Sequence, residues 1–134
     1  MLDKMEGQQG FSLLELLVYV AIVGILMAAA VPKYQQAMAI ANTSRIQSDL
    51  HSLDMAIIVY ESQNGRLPSS LQPDLDPYIM DLAGLKPPQG RCILRSGESL
   101  EITANAYSLS ADRQQALCQE QPVSAFGRPD GSGN

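Results

Sequence analysis

From Phe11 to Val31 the chain reads FSLLELLVYVAIVGILMAAAV, an apolar run interrupted by one charged residue, Glu15. Coiled as a helix, a run of that length rises about 31 Å and matches a hydrocarbon core of roughly 30 Å. Pro32 follows at once and predicts a kink or stop. Beyond it, apolar residues fall at Tyr34, Met38 and Ala41, then at Ile46, Leu50, Leu53, Ile57 and Tyr60. Steps of four and three residues put the last five on one helical stripe. Asn42, Arg45, Gln47, Ser48, Asp49 and Asp54 fill the other faces. The pattern predicts a helix to about Ser62, closed at Asn64-Gly65 by a glycine suited to a left-handed cap. Arg66-Leu67-Pro68 leads away in extended form.

Polarity and spacing then change. Pro68, Pro73, Pro77, Pro87 and Pro88 mark a loop region, with a short helical turn expected around Tyr78 to Leu82. Arg91-Cys92-Ile93-Leu94 and Leu100-Glu101-Ile102-Thr103 flank Ser96-Gly97-Glu98 and predict a hairpin. Ala106 to Ser110 alternates as a third strand. Three strands with one apolar face need a cover, which the stripe from Ile46 to Tyr60 supplies. Pro122 to Asn134 is rich in Gly, Pro and Ser and is expected to be a flexible tail. The fold class is therefore α+β: a long N-terminal helix whose amphipathic half packs on a small antiparallel sheet. The divisions are an apolar half at 11–32, an amphipathic half at 33–64, a β-rich domain at 65–121 and the tail at 122–134.

Composition narrows the function. A net charge of −5 over 134 residues disfavours nonspecific nucleic-acid binding, which needs surplus Lys and Arg to displace counterions. With 46% hydrophobic and 17% charged residues, the chain is not of the disordered class. It is also too short to wrap the apolar run as an ordinary buried core helix. A transmembrane reading is left, with a secretory signal as its rival. Ala28-Ala29-Ala30 would pass as a small-residue cleavage site, but the opening segment carries Asp3 and Glu6 against Lys4, and the run is long for a signal. Glu15 sits inside it, where a charge costs about 2.5–3.5 kcal/mol at bilayer depth. Near one end of the run it can snorkel to the interface, or it has a partner. Catalytic chemistry is not indicated. His51 is the only histidine, no phosphate-binding glycine loop is present, and Asp74, Asp76 and Asp81 lack EF-hand spacing. No enzyme activity, metal or cofactor is expected.

Gly10-Phe11-Ser12-Leu13-Leu14-Glu15 resembles the processing motif of type IV prepilins and type II secretion pseudopilins. The likeness takes in a short polar leader at 1–10, Gly10 before the cut, Phe11 after it, Glu15 at the fifth position of the product and Pro32. Tyr60 to Pro68 resembles the end of the long helix in major pseudopilins and some pilins. The resemblance implies a prepilin peptidase that cuts after Gly10 and methylates the new terminal Phe11, giving N-methylphenylalanine. It further implies that Glu15 pairs with the Phe11 amine of a neighbouring subunit in a helical filament. Cutting frees an α-amine that is largely cationic at neutral pH, and pairing neutralises two charges whose isolation in an apolar core costs several kcal/mol. The orientation comes from the resemblance alone: the leader has only Lys4 plus the starting amine, while Lys33 and Arg45 lie just beyond the span, so the positive-inside rule gives no support for a cytoplasmic leader.

Cys92 and Cys118 are the two cysteines. An even count in an exported chain reads as one disulfide, worth about 3.5 kcal/mol on the chain-entropy model, and pilins with a stapled C-terminal region imply the same pairing. The expected function is a structural subunit of a type IV pilus-like filament. The alternatives are a type II secretion pseudopilin, a minor pilin, or a single-span anchored binding module. The partners implied are further copies of the chain and related pilins, the prepilin peptidase, inner-membrane assembly machinery, and membrane lipid before assembly, with no nucleic acid. The implied location is the bacterial inner membrane, then a pilus or periplasmic pseudopilus with the C-terminal domain outside the cytoplasm.

Overall fold

Pro32 is the one proline between Leu2 and Asn64, and α1 (Leu2–Asn64) runs through it. Of the two expected outcomes, kink or stop, the stop does not occur, and the helix continues as the residues beyond Pro32 predict. A proline inside a helix removes one ladder bond, here to the carbonyl of Ala28, and the ladder resumes on its far side. The computed structural model describes the backbone of residues 2–129 and the side chains of residues 12–129. The chain divides into two compact units, residues 1–37 and 38–134.

In the first unit every described side chain, from Ser12 to Ala37, is exposed. The second unit is built on the remainder of α1. Ile46, Leu50, Leu53, Ile57 and Tyr60 are all buried, as their spacing predicts, and Ala39 and Thr43 extend the stripe one step further each. Gly65 closes α1 in the left-handed region at φ +66°, its N–H donating to the Glu61 carbonyl at 2.8 Å. The loop beyond contains two short 3-10 turns, Asp76–Tyr78 and Leu82–Gly84. Leu75 and Leu82 from this loop enter the core.

The hairpin forms where the pattern placed it. Strands β1 (Gly90–Ile93) and β2 (Ser99–Ile102) pair antiparallel, with Cys92 opposite Leu100. The third strand also forms within its expected stretch, but in a different sheet. β3 (Ser108–Leu109) does not join the hairpin; it pairs with β4 (Ala116–Cys118), which pairs with β5 (Gln121–Pro122) in a second sheet. The physical reason lies at the open edge of β2. The Gln119 amide donates to the Glu101 carbonyl at 3.0 Å and accepts from the Thr103 N–H at 2.9 Å. A side chain thus takes the carbonyl and N–H that a neighbouring strand would have used.

The tail is a correction. Phe126 is fully buried, bridged to Leu94, and flanked by bonds from Arg95 N–H to the Ala125 carbonyl (2.8 Å) and Gly127 N–H to the Ile93 carbonyl (3.2 Å). One large aromatic among small polar residues is enough to dock the segment, because burying a Phe side chain contributes about 1.5–3 kcal/mol. The last five residues of the expected tail, 130–134, lie outside the described residues.

Candidate functional site

The site residues marked by the sequence fall into two groups, one on the apolar part of α1 and one in the sheet core. Gly10 and Phe11, the expected cleavage pair, lie outside the described side chains. Glu15 is described, and its Oε1 accepts a hydrogen bond from the Tyr19 hydroxyl at 2.8 Å. Positions four apart on a helix share a face, so the pair follows from the backbone alone. Sequence reasoning passed over Tyr19, although the spacing of a donor four residues after a carboxylate was there to be seen. Around the pair the surface is apolar: Leu13, Leu14, Leu16, Leu17, Val18 and Val20 are all exposed. A continuous exposed apolar surface of this extent has to be covered, by lipid or by protein. By length and composition α1 contains one segment able to cross a membrane.

In the second unit the polar residues beside the buried stripe do more than fill the outer faces. Asn42 Nδ2 donates to the Arg91 carbonyl at 3.1 Å, and Gln47 Nε2 to the Phe126 carbonyl at 2.9 Å. Thr43 Oγ1 accepts from the Ile93 N–H at 2.7 Å and donates to the Ala39 carbonyl at 2.7 Å. Asp49 Oδ2 accepts from the Tyr107 hydroxyl at 2.6 Å, and Asp54 Oδ1 from the Ala116 N–H at 2.7 Å. These five residues tie α1 to β1, to Tyr107 just before β3, to β4 and to the docked C-terminal segment. Desolvation, then the hydrogen bond to Asp49, holds the Tyr107 phenol well above its ordinary pKa. Desolvation raises Asp54 as well, offset by the Ala116 bond and by His51 nearby.

Cys92 on β1 and Cys118 on β4 are both fully buried thiols in one core cluster. Burial pushes both pKa values up, Cys118 to about 11, with Cys92 close enough to add to that shift. His51 is exposed on α1. The loop aspartates serve the backbone: Asp74 accepts from Ser69 N–H at 2.7 Å, and Asp81 caps Gly84 N–H at 3.1 Å.

These features define a protein with an uncovered apolar helix carrying one carboxylate, Glu15, and a small α+β domain built on the rest of the same helix. Residues 5–31 match the family model of the prokaryotic N-terminal methylation motif. The chain is 46% identical over 50 residues to the type IV major fimbrial protein FimA of Dichelobacter nodosus, covering 37% of this chain and 32% of that protein. It is 35% identical over 68 residues to type II secretion system core protein G of Klebsiella pneumoniae, covering 51% and 49%. It is 44% identical over 52 residues to a fimbrial protein of Pseudomonas aeruginosa, covering 39% and 34%. The matched parts thus span between about a third and a half of these relatives. No solved structure matches the chain significantly. The chain carries a prepilin-type N-terminal methylation motif, and its homologues are type IV fimbrial proteins and the type II secretion core protein G.

Proposed function

We propose that the chain is a structural subunit of a type IV pilus-like filament, stored in the inner membrane, cut after Gly10, methylated at Phe11 and polymerised through residues 11–32. The observation that carries this reading is the exposed apolar surface from Ser12 to Val31 with Glu15 on it, in a segment that matches the methylation motif. Lipid covers that surface before assembly, and neighbouring helices cover it afterwards. Burial at about 25 cal/mol per Å² drives packing, and the pairing of Glu15 with a neighbour's Phe11 amine sets the register. On this reading residues 1–10 are a leader removed by a prepilin peptidase, and residues 33–129 form the part outside the cytoplasm. In that oxidising setting Cys92 and Cys118 form a disulfide. The function is structural, not enzymatic.

A pseudopilin of a type II secretion system is the second reading. It is favoured by one observation: the match to core protein G covers 51% of this chain, against 37% and 39% for the fimbrial proteins above. Intact mass of the chain from sheared surface filaments and from the remaining envelope separates the two. A surface species lacking residues 1–10 and methylated at Phe11 is expected for a pilus subunit. The same processed species confined to the envelope fits a pseudopilin or a minor pilin. An uncut chain, in cells with active prepilin peptidase, would sink both and leave an ordinary anchored module.

A further inference from the structure

Among the described residues, the contact between Glu15 and Tyr19 is a polar feature of a largely apolar stretch that the assembly reading does not use. Glu15 has two possible partners on its own helix, one turn away in each direction. Phe11 lies four residues before it and, once cleaved, carries an α-amine; Tyr19 lies four residues after it and carries a phenol. Both spacings bring groups into reach along one helix face. A pair between Glu15 and its own Phe11 amine would satisfy both charges within one chain and leave nothing to recruit a neighbour. The Tyr19 hydroxyl already donates to Oε1 at 2.8 Å. That bond engages the carboxylate with the turn C-terminal to it, the opposite direction along the helix from its own Phe11. A carboxylate accepts on both oxygens, so Oε2 is left for an amine arriving from another subunit.

We propose that Tyr19 is a positioning residue for filament assembly. It holds Glu15 turned away from its own N-terminus, with Oε2 presented to the Phe11 amine of the next copy of this chain. In the lipid-stored subunit the same bond gives Glu15 a donor where water supplies none. Phenol chemistry suits the task, because a phenol donates to a carboxylate without bringing a second charge into the bilayer. The inference rests on the assembly reading above and adds to it a device that decides between pairing within a chain and pairing between chains.

The test compares the full-length wild type, Glu15→Gln and Tyr19→Phe in cells holding the peptidase and assembly machinery. Subunit in the sheared filament fraction is measured beside processing by intact mass. Tyr19→Phe keeps the ring and loses the donor, so cleavage and methylation should be unchanged while assembled subunit falls by about tenfold, the loss of one charge-assisted bond. Isotope-edited infrared of the processed chain, carboxyl-labelled at glutamate in phosphatidylethanolamine and phosphatidylglycerol vesicles, gives the second readout. The Glu15 carboxylate band, assigned by its absence in Glu15→Gln, should move in Tyr19→Phe. Assembly of Tyr19→Phe at the wild-type level overturns the inference, and so does a fall in assembly with the band unmoved, which marks a packing role. If the wild type is not cleaved, or Glu15→Gln assembles normally, the underlying assembly reading fails and takes this inference with it.

Discussion

Thr43 and Ile93, fifty positions apart in sequence, share a hydrogen bond of 2.7 Å in which a buried helical hydroxyl accepts from a strand N–H. The Ile93 carbonyl accepts in turn from Gly127 N–H, so both backbone polar groups of this residue find partners outside the hairpin. Helix side chains on one side and the chain's own C-terminal segment on the other close the outer edge of β1, which would otherwise be open to pairing. Thr43→Val keeps the shape, removes the acceptor and leaves the Ile93 N–H buried without a partner. The expected loss is about 1–3 kcal/mol, read from urea unfolding of the full chain in detergent by the near-ultraviolet signal of its tyrosines. Thr43→Ser retains the oxygen and should lose less. Equal midpoints for Val and wild type would mean that the bond contributes nothing net.

Phe126 carries the docking of the C-terminal segment. Its side chain is fully buried in the core cluster, while its carbonyl accepts from Gln47 Nε2 at 2.9 Å and Arg95 Nε at 3.2 Å. Gly127 beside it sits at φ +143°, and an added Cβ would press on Arg95 and Gln47 at 3.2 Å. Phe126→Ala should destabilise the domain by about 3–5 kcal/mol. Hydrogen exchange should speed up first at the amides of Arg95 and Gly127, which bond across this junction. Wild-type protection at both amides would show that the segment is held by its backbone alone.

The long helix was legible because its signals are local and periodic. The five-residue stripe from Ile46 to Tyr60, the glycine cap at Gly65 and the hairpin around Gly97 all came from spacing within one element. The second sheet was not, since β4 and β5 have only three and two residues and draw their pairing from partners rather than from an alternating pattern. Phe126 was obscured by the polar composition around it. Asn42, Gln47, Asp49 and Asp54 read as solvated positions because a helix face cannot reveal which backbone groups will be set against it. On the apolar segment, the methylation motif located Glu15, whereas Tyr19 needed the side-chain geometry.

Asp54 supplies a pH dependence with a definite sign. Desolvation raises its pKa above the ordinary aspartate value, despite the bond from Ala116 N–H and the nearby His51. The folded chain therefore holds this proton to higher pH than the unfolded chain, and stability falls as pH rises from the ordinary aspartate pKa through the raised one. Above that window the contribution is constant. Asp54→Asn keeps an acceptor for Ala116 N–H and removes the titration. Subtracting its stability curve from that of the wild type should leave a downward step in the mildly acidic range. Parallel curves from acid to neutral pH would show that Asp54 is not desolvated by folding.

The two thiols make a kinetic prediction. Burial places Cys118 at about 11 and raises Cys92 as well, and exchange and alkylation both run through the thiolate. At pH 8 a thiol with that pKa carries roughly two hundredfold less thiolate than a free cysteine, and the surrounding core excludes the reagent. A disulfide between β1 and β4 should therefore form on a partly folded chain, before the core closes. Reduced chain diluted from urea into a glutathione redox couple should give mainly a species lighter by two hydrogens. The same couple added to reduced chain already folded should give it at a rate limited by unfolding, and iodoacetamide should modify the folded form as slowly. Thr43→Val and Phe126→Ala, which open the same core, should speed both reactions. If folded and refolding chains oxidise equally fast, Cys92 and Cys118 are reached from solvent in the native fold, and the order of events is reversed: the domain folds first and the bridge follows.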